Sequence, residues 1–530
     1  MFIDVKKAFD RVFHEGLWAR LWKIGVKGKM WRMMRAIYKK VESCVRISGN
    51  ITDWFTIETG VRQGCVLSPI LYAFFINGLV DELNEAKLGV EIKPGILLDC
   101  LFYADDIVLL ADNRKNLQKM LDIIAAYAKK WRFELNPKKS EVVVFGTRSP
   151  PRNLKMKLGQ HTLKTVKQYK YLGIELTRTL RWHVYIRRIL EKARRNMTHV
   201  WAMGIRGGFA SVKTAEMLWK GLVRSVLEYG CEIWGEGAFS DLEKIQIEMG
   251  RKILRCNSTL TNEVVLGELG WETMKARRDE MRLRYWAKIV RMQEHRIPKI
   301  VYRQSKTRLE MEDPPPTWCK YTRDLLYRIG LGEYWETEEV PPEDEWAKIV
   351  REKIHIREEE EWRQEMKDHS KLRTYITLKH KLEREKYLEI RNRYGAPELT
   401  KIRGGSNRLR IETGRWSTIP KEERFCEICD SGEVEDETHF MLFCPAYKEL
   451  RENMWKELER FGIRNDEMTT HEKLNTLIGD RNAESEDYTI MIKIVMKYIE
   501  KAMRNRKMRQ GVKSERTGTV HLPSDWKNDK

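Results

Sequence analysis

The sequence predicts an α+β protein, and three observations carry the prediction. Short apolar, β-prone runs punctuate residues 1–178 and alternate there with helical patterns. From Trp182 onward helical spacing takes over. Close to the C-terminus, Cys426, Cys429, His439 and Cys444 follow a C-x2-C-x9-H-x4-C pattern, the composition of a small metal-binding module.

From the N-terminus, Met1-Phe-Ile-Asp4-Val is a short apolar strand running into a helical pattern that carries Phe9 and Asp10. Taken alone, Asp4 reads as a helix cap or terminal acid. Gly60-Val-Arg62-Gln63-Gly64 follows, and then Ser68 and Pro69 open an apolar helix, with Ser68 as its cap and Pro69 at the first helical position. Glycines let a backbone approach a ligand closely, and Arg62 and Gln63 can contact a base, sugar or phosphate; a structural turn before a buried helix uses the same residues. Leu101-Phe-Tyr-Ala-Asp105-Asp106-Ile-Val-Leu-Leu110 sets two adjacent carboxylates between β-prone runs, a hairpin with acids at its tip. Such a tip is either a solvated turn or a site where a divalent metal offsets the repulsion of the acids. If the first strand lies beside the hairpin, Asp4 and Asp105 together would hold two Mg²⁺ ions, which suit in-line phosphoryl displacement.

In order and spacing, Asp4 with Phe9-Asp10, then Gly60-Val-Arg-Gln-Gly-Cys-Val-Leu-Ser-Pro69, then Tyr103-Ala-Asp-Asp106 resemble the palm of a reverse transcriptase. The group is that of non-LTR (LINE-type) retrotransposons, including jockey-like elements. Phe133-Glu-Leu-Asn136-Pro-Lys138-Lys139 resembles the fourth palm motif, and Tyr169-Lys-Tyr171-Leu172-Gly173 resembles the primer-grip hairpin. The resemblance implies an RNA-directed DNA polymerase acting on an RNA template, a DNA primer and deoxynucleoside triphosphates, with no small-molecule cofactor and no membrane. It implies Asp4, Asp105 and Asp106 as the catalytic acids, Asp4 and Asp105 holding magnesium, and Lys139 as proton donor to pyrophosphate. It makes Phe9 a ring that clashes with a ribose 2′-hydroxyl, puts Arg62, Gln63 and Gly64 at the nucleotide or template, and Tyr171, Leu172 and Gly173 at the primer. The family places a fingers region before Asp4, whereas this chain begins three residues before it. The expectation is therefore a right-hand palm lacking most of the fingers, the C-terminal part of a longer polyprotein, with phosphoryl transfer slowed by the loss of phosphate clamps.

Lys and Arg number 99 against 78 Asp and Glu, a net charge of +21 that favours polyanionic partners. Affinity built this way falls with salt, by about 0.9 log units per phosphate and decade on duplex DNA. The charged start of the chain is no signal peptide, and the apolar stretch Ile70–Ile76 is far short of the roughly 20 residues that span a bilayer. A soluble intracellular protein, of the nucleus and/or cytoplasm, is expected.

Residues 179–300 read as helices, with Arg187-Arg-Ile-Leu-Glu-Lys192-Ala-Arg194-Arg195 as a basic face; the resemblance makes this a helical thumb gripping the primer–template duplex. Proline and acid clusters at Met311–Thr317 and Glu338–Asp344 read as extended linkers around a small helical piece, a region of 301–345. Residues 346–420 form a charged helical connection whose mixed-sign runs read as a long solvated helix. Residues 421–460 hold the module, where four N/S ligands suit a tetrahedral Zn²⁺ better than scattered thiols. Its long middle spacer separates it from retroviral knuckles. Residues 461–530 read as a helical segment and a basic tail, which together with Lys401, Arg403, Arg408, Arg410 and Arg415 could track phosphates or remain disordered.

Three functions fit: a reverse transcriptase fragment of a LINE-type element, a catalytically inactive nucleic-acid-binding remnant of one, or another polymerase with this palm, such as an intron-encoded maturase. The Cys/His spacing argues against the third.

Overall fold

The computed structural model describes all residues except 147–153, 207–209, 312–316, 368, 391, 393, 467, 480–486 and 518–530, and for 511–517 the backbone only. Most of the first proline cluster thus lies outside the described residues. The chain forms two compact units. The first holds Met1–Arg187 and the returning segment Gln293–Pro314, and the second holds Arg188–Met292 and Pro315–Lys530.

The first unit is built on a seven-stranded sheet. From one edge the strands run Met156–Leu158, His161–Val166, Glu141–Val143, Phe2–Lys6, Asp106–Leu109 and Cys100–Tyr103, with Glu134–Leu135 pairing to the far end of Phe2–Lys6. The apolar first strand takes the centre because it is hydrophobic on both faces. Its register against the acid hairpin is Phe2 opposite Val108, Ile3 opposite Ile107 and Asp4 opposite Asp106. Side chains alternate along a strand, so this register sorts them onto two faces. Ile3, Val5, Ile107 and Leu109 enter the main core with Leu71, Phe75 and Leu79 of helix Ser68–Ala86 and Met120, Leu121 and Ile124 of helix Arg114–Trp131. Phe2 and Val108 face the other way and join Val143, Tyr169 and Tyr171 in a smaller cluster. Asp4 and Asp106 share that second face by parity.

Helix Arg114–Trp131 starts where Asn113 accepts from the Asn116 N–H at 2.9 Å and ends on Arg132 at φ +59°. Helix Ser68–Ala86 departs from the expected cap. Ser68 lies inside the helix, buried, and its hydroxyl donates back to the Arg62 carbonyl at 2.5 Å, because the preceding Leu67 is already in helical conformation. Helix Ile297–Glu310 packs in this first unit against strand Val90–Lys93, so the chain returns to this unit after residue 292.

The second unit has helices and no strand among its described residues, with two isolated β-bridges, Leu269 with Arg384 and Phe425 with Val434. Its centre is helix Met274–Val290 packed along helix Glu343–Lys367. The latter is not the solvated helix its composition suggested. Trp346, Val350, Ile354, Trp362 and Met366 are buried along one face, and Arg357 sits between Asp279 and Glu358 at 3.3 Å from each. Opposite charges that find each other inside the unit are what allow so charged a segment to be interior. The basic residues before the Cys/His segment are likewise engaged in ion pairs. Arg403 is 1% exposed and bound to Glu268 at 2.9 Å and Glu385 at 3.1 Å, while Lys401, Arg410 and Arg415 pair with Glu398, Glu427 and Glu412. The basic run Lys501–Arg509, for which phosphate tracking and disorder were both open, lies in helix Tyr488–Thr517. Among the described residues no helix is long and apolar enough to cross a membrane.

Candidate functional site

The acid hairpin turns at Ala104-Asp105, with Tyr103 paired to Asp106 and Ala104 in the left-handed region at φ +53°. Because Asp4 lies directly opposite Asp106, the register brings the acids of two distant segments to one end of the sheet. All three are half-buried. Burial, then the charge of Asp105, then that of Asp4, push the Asp106 carboxyl above its usual range. Crowded carboxylates that raise one another's proton affinity form a donor set of hard oxygens, the chemistry that Mg²⁺ or Ca²⁺ satisfies.

Asp4 is held by residues that the sequence did not mark for a role. The Asn136 side-chain amide donates to Asp4 Oδ2 at 2.9 Å, and the Asn136 N–H donates to the Asp4 carbonyl at 2.9 Å. The Asp4 N–H donates in turn to the Ser140 hydroxyl at 3.2 Å, and that hydroxyl donates to the Asn136 carbonyl at 2.8 Å. The turn Asn136–Ser140 thus fixes the carboxylate and leaves Asp4 Oδ1 out of this hydrogen bond. No composition or spacing signal distinguishes Asn136 from an ordinary turn asparagine. Lys139 stands exposed on the same turn.

The Phe9-Asp10 turn is fastened to the glycine-rich loop. Val61 N–H donates to the Phe9 carbonyl at 2.7 Å, Gly60 N–H to the Val12 carbonyl at 2.9 Å, and the Gln63 side chain to Asp10 Oδ1 at 2.9 Å. At Gly60, φ is +91° and a Cβ would lie 2.7 Å from the Asp10 carbonyl oxygen, so only glycine allows this approach. Gln63 is therefore occupied by Asp10, whereas Arg62 and Gly64 are exposed beside it. Phe9 is half-buried and stacks on Tyr72 of helix Ser68–Ala86, with ring centroids 5.1 Å apart at 18°. Tyr72 is buried, its hydroxyl has no hydrogen-bond partner among the described residues, and burial followed by the Asp105 charge raises its pKa. Tyr72 therefore ties the Phe9 ring to the neighbourhood of the acids, a link the residue type did not reveal.

Tyr171, Leu172 and Gly173 form the turn between strands Gln168–Tyr171 and Ile174–Thr177, with Leu172 at φ +46° and Gly173 at φ +88°. The hairpin lies over the acid-bearing face. Tyr169 stacks on Phe2 at 4.1 Å and 10°, Tyr171 approaches Phe2 at 5.5 Å, and burial followed by the Asp106 charge raises the pKa of both tyrosines.

In the second unit, ligand atoms of Cys426, Cys429, His439 and Cys444 all lie within 4.8 Å of one another. A tetrahedral zinc with Zn–S near 2.3 Å keeps its sulfurs roughly 3.8 Å apart, so the donors are almost closed on such an ion. Cys426, His439 and Cys444 are buried, and Cys429 is half-buried. The His439 ring nitrogens are sorted by their neighbours: Nδ1 is 2.9 Å from Glu433 Oε2, leaving Nε2 at 3.4 Å from Cys429 Sγ. The Cys426 thiol is pushed up to about 12, by its hydrogen bond with Cys444 and then by burial. Burial works against the His439 imidazolium, but hydrogen bonds to Cys426, Cys429 and Glu433 outweigh it and raise its pKa to about 9. Three thiols and an imidazole sharing protons in one buried place form a donor set suited to a soft or borderline cation.

Residues 1–176 match the family described as reverse transcriptase (RNA-dependent DNA polymerase). The chain is 27% identical over 258 residues to the probable RNA-directed DNA polymerase from transposon BS of Drosophila melanogaster, covering 47% of this chain and 28% of that relative. It is 28% identical over 264 residues to the RNA-directed DNA polymerase from mobile element jockey of Drosophila funebris, covering 48% and 28%. It is 23% identical over 343 residues to the probable RNA-directed DNA polymerase from transposon X-element of Drosophila melanogaster, covering 62% and 36%. The aligned part is thus about a third or less of each relative's length. The acids, the turn Asn136–Ser140 and the glycine-rich loop thus assemble around one end of the sheet within residues 1–176, the part of the chain that matches the reverse transcriptase family and is similar to the RNA-directed DNA polymerases of these transposons and mobile elements.

Proposed function

We propose that the chain extends a DNA primer on an RNA template as the polymerase portion of a retrotransposon protein. The observation that carries this is the Asp4–Asp106 register, which sets three carboxylates at one end of the sheet beside the Phe9–Tyr72 stack. The primer 3′-oxygen attacks the α-phosphorus of a deoxynucleoside triphosphate, a new P–O bond forms, and the bond to the β-phosphate breaks to release pyrophosphate. Two Mg²⁺ ions on Asp4 and Asp105, when bound, supply neutralisation of the triphosphate and of the charge that develops during transfer.

The chain's own residues position the reactants. Asn136 and Ser140 hold Asp4 at a fixed angle. Asp106 stabilises the turn and adds charge to the acid cluster. Phe9, braced by Tyr72, excludes a ribose 2′-hydroxyl. Arg62 and Gly64 meet the incoming nucleotide or template, while Gln63 holds the loop to Asp10. Tyr171, Leu172 and Gly173 guide the primer strand, and Lys139 gives a proton to the departing pyrophosphate. In the second unit, Cys426, Cys429, His439 and Cys444 would hold a zinc ion, which would tie these chain segments together.

Primer extension on an RNA template tests the reading. Asp105→Asn is expected to reduce incorporation by about 10³-fold while nucleic-acid affinity is retained, as for loss of a group that acts on the transition state. No incorporation by either protein, with binding intact, would instead identify a nucleic-acid-binding protein without polymerase activity, and equal incorporation by both would remove Asp105 from the catalytic set.

A further inference from the structure

The C-terminal helix Tyr488–Thr517 has two sharply different faces. Tyr498, Ile499, Ala502, Met503 and Arg506 belong to a buried face. Lys493, Lys497, Lys501, Arg504 and Lys507 are all exposed, at spacings of 4, 4, 3 and 3 residues. At 100° per residue these five fall on one side, and at about 1.5 Å per residue they make a rail roughly 21 Å long. One acid, Glu500, interrupts it. Its contact with Arg504 is 3.8 Å, and Lys497 is 3.6 Å from Glu457, loose exposed pairs that water screens.

The buried face is fastened to residues next to the Cys/His ligands. Arg506 binds Glu435, with the Arg506 Nη2 to Glu435 Oε2 distance at 2.9 Å, and it also donates to the Arg408 carbonyl at 3.0 Å. Glu435 lies 3.5 Å from Cys426 Sγ, and both Arg506 and Glu435 are almost fully buried. Tyr498 donates to the carbonyl of Phe440, the residue after ligand His439, at 2.9 Å.

We propose that this helix is a second nucleic-acid contact, a rail for the phosphate backbone, and that the Cys/His group serves to hold it in place rather than to read bases itself. Three of the four ligands are buried and wrapped by protein, so the group offers little surface of its own, whereas the helix it anchors offers a row of cations. A membrane surface fits poorly, because the apolar face that would enter lipid is already used in the unit's interior. The polyanion that matches a straight row of cations, in a chain with a reverse transcriptase domain, is a nucleic-acid backbone. The identity of the partner rests on the polymerase reading, but the rail is tested by binding alone.

The full chain is titrated against a short RNA–DNA duplex over a series of salt concentrations. Changing Lys493, Lys497, Lys501 and Arg504 to Gln is expected to make the slope of log affinity against log salt shallower by about 3 to 4, four phosphates at roughly 0.9 each. Converting the three lysines to Arg is expected to preserve the slope. Glu435→Gln adds net positive charge yet keeps all four ligands; it is expected to weaken duplex binding and to open the helix to trypsin. Unchanged slope in the Gln variant, or tighter binding by Glu435→Gln, overturns the proposal. So does equal affinity of the wild type for phosphatidylserine vesicles at the same salt. Asp105→Asn keeps the wild-type slope whether or not the chain polymerises, which separates failure of the rail from failure of the polymerase reading.

Discussion

The acid cluster of the first unit and the Cys/His group of the second gather metal-type ligands in opposite ways. Asp4 and Asp106 come from strands far apart in sequence and meet only through sheet register, and all three acids remain half-buried with few partners. The Cys/His ligands come from one short stretch, Cys426 to Cys444, mostly buried inside a shell of ion pairs. Glu435 is bound by Arg506, and Glu437 accepts from Arg373 at 2.7 Å and from Asn407 at 3.0 Å. The contrast separates two uses of a cation. A site that must admit substrate phosphates and exchange water has to stay open on one side, whereas a site that holds chain segments together gains from closure.

If that distinction holds, the largest effect comes from breaking the closed site. Cys444→Ser, or zinc chelation of the wild type, is expected to cost the second unit several kcal/mol, as loss of a folding-coupled ion does. Calorimetry should then show a separate transition for the second unit at lower temperature while the first unit melts as before. A single unshifted melt would mean that the closed group carries no structural load. Next comes the open site. Asn136→Ala leaves every acid in place but frees Asp4, and it is expected to raise the Mg²⁺ concentration for half-maximal primer extension by about 10-fold, in line with loss of an outer hydrogen bond to a ligand. A change in maximal rate with unchanged Mg²⁺ dependence would assign Asn136 a merely structural part.

How much of this was legible depended on how local the chemistry was. The Asp105-Asp106 hairpin, the glycine-rich loop and the Cys/His spacing each sit in a short contiguous stretch and could be read directly. Ser68 shows the limit even there: a good cap residue is instead the first helical residue, because Leu67, already in helical conformation, takes the cap position. The charged run from Glu345 and the basic residues from Lys401 to Arg415 suggest solvated or phosphate-tracking faces, since composition counts charges without showing their partners. Arg357 pairs with Asp279 of another helix as well as with the adjacent Glu358, and Arg403 pairs with Glu268 and Glu385, both outside its own helix.

By itself, then, the sequence determined which chemical groups exist and which of them are neighbours along the backbone: a pair of acids at a turn, a soft-metal donor set, an excess of cations. Tertiary structure alone decided that Asp4 faces Asp106, that Asn136 orients Asp4, that Tyr72 braces Phe9, and which cations are spent inside and which remain outside. The physical reason is that strand register and burial arise from contacts between distant segments, and a side chain's chemistry is set by whichever partner the folded chain brings to it.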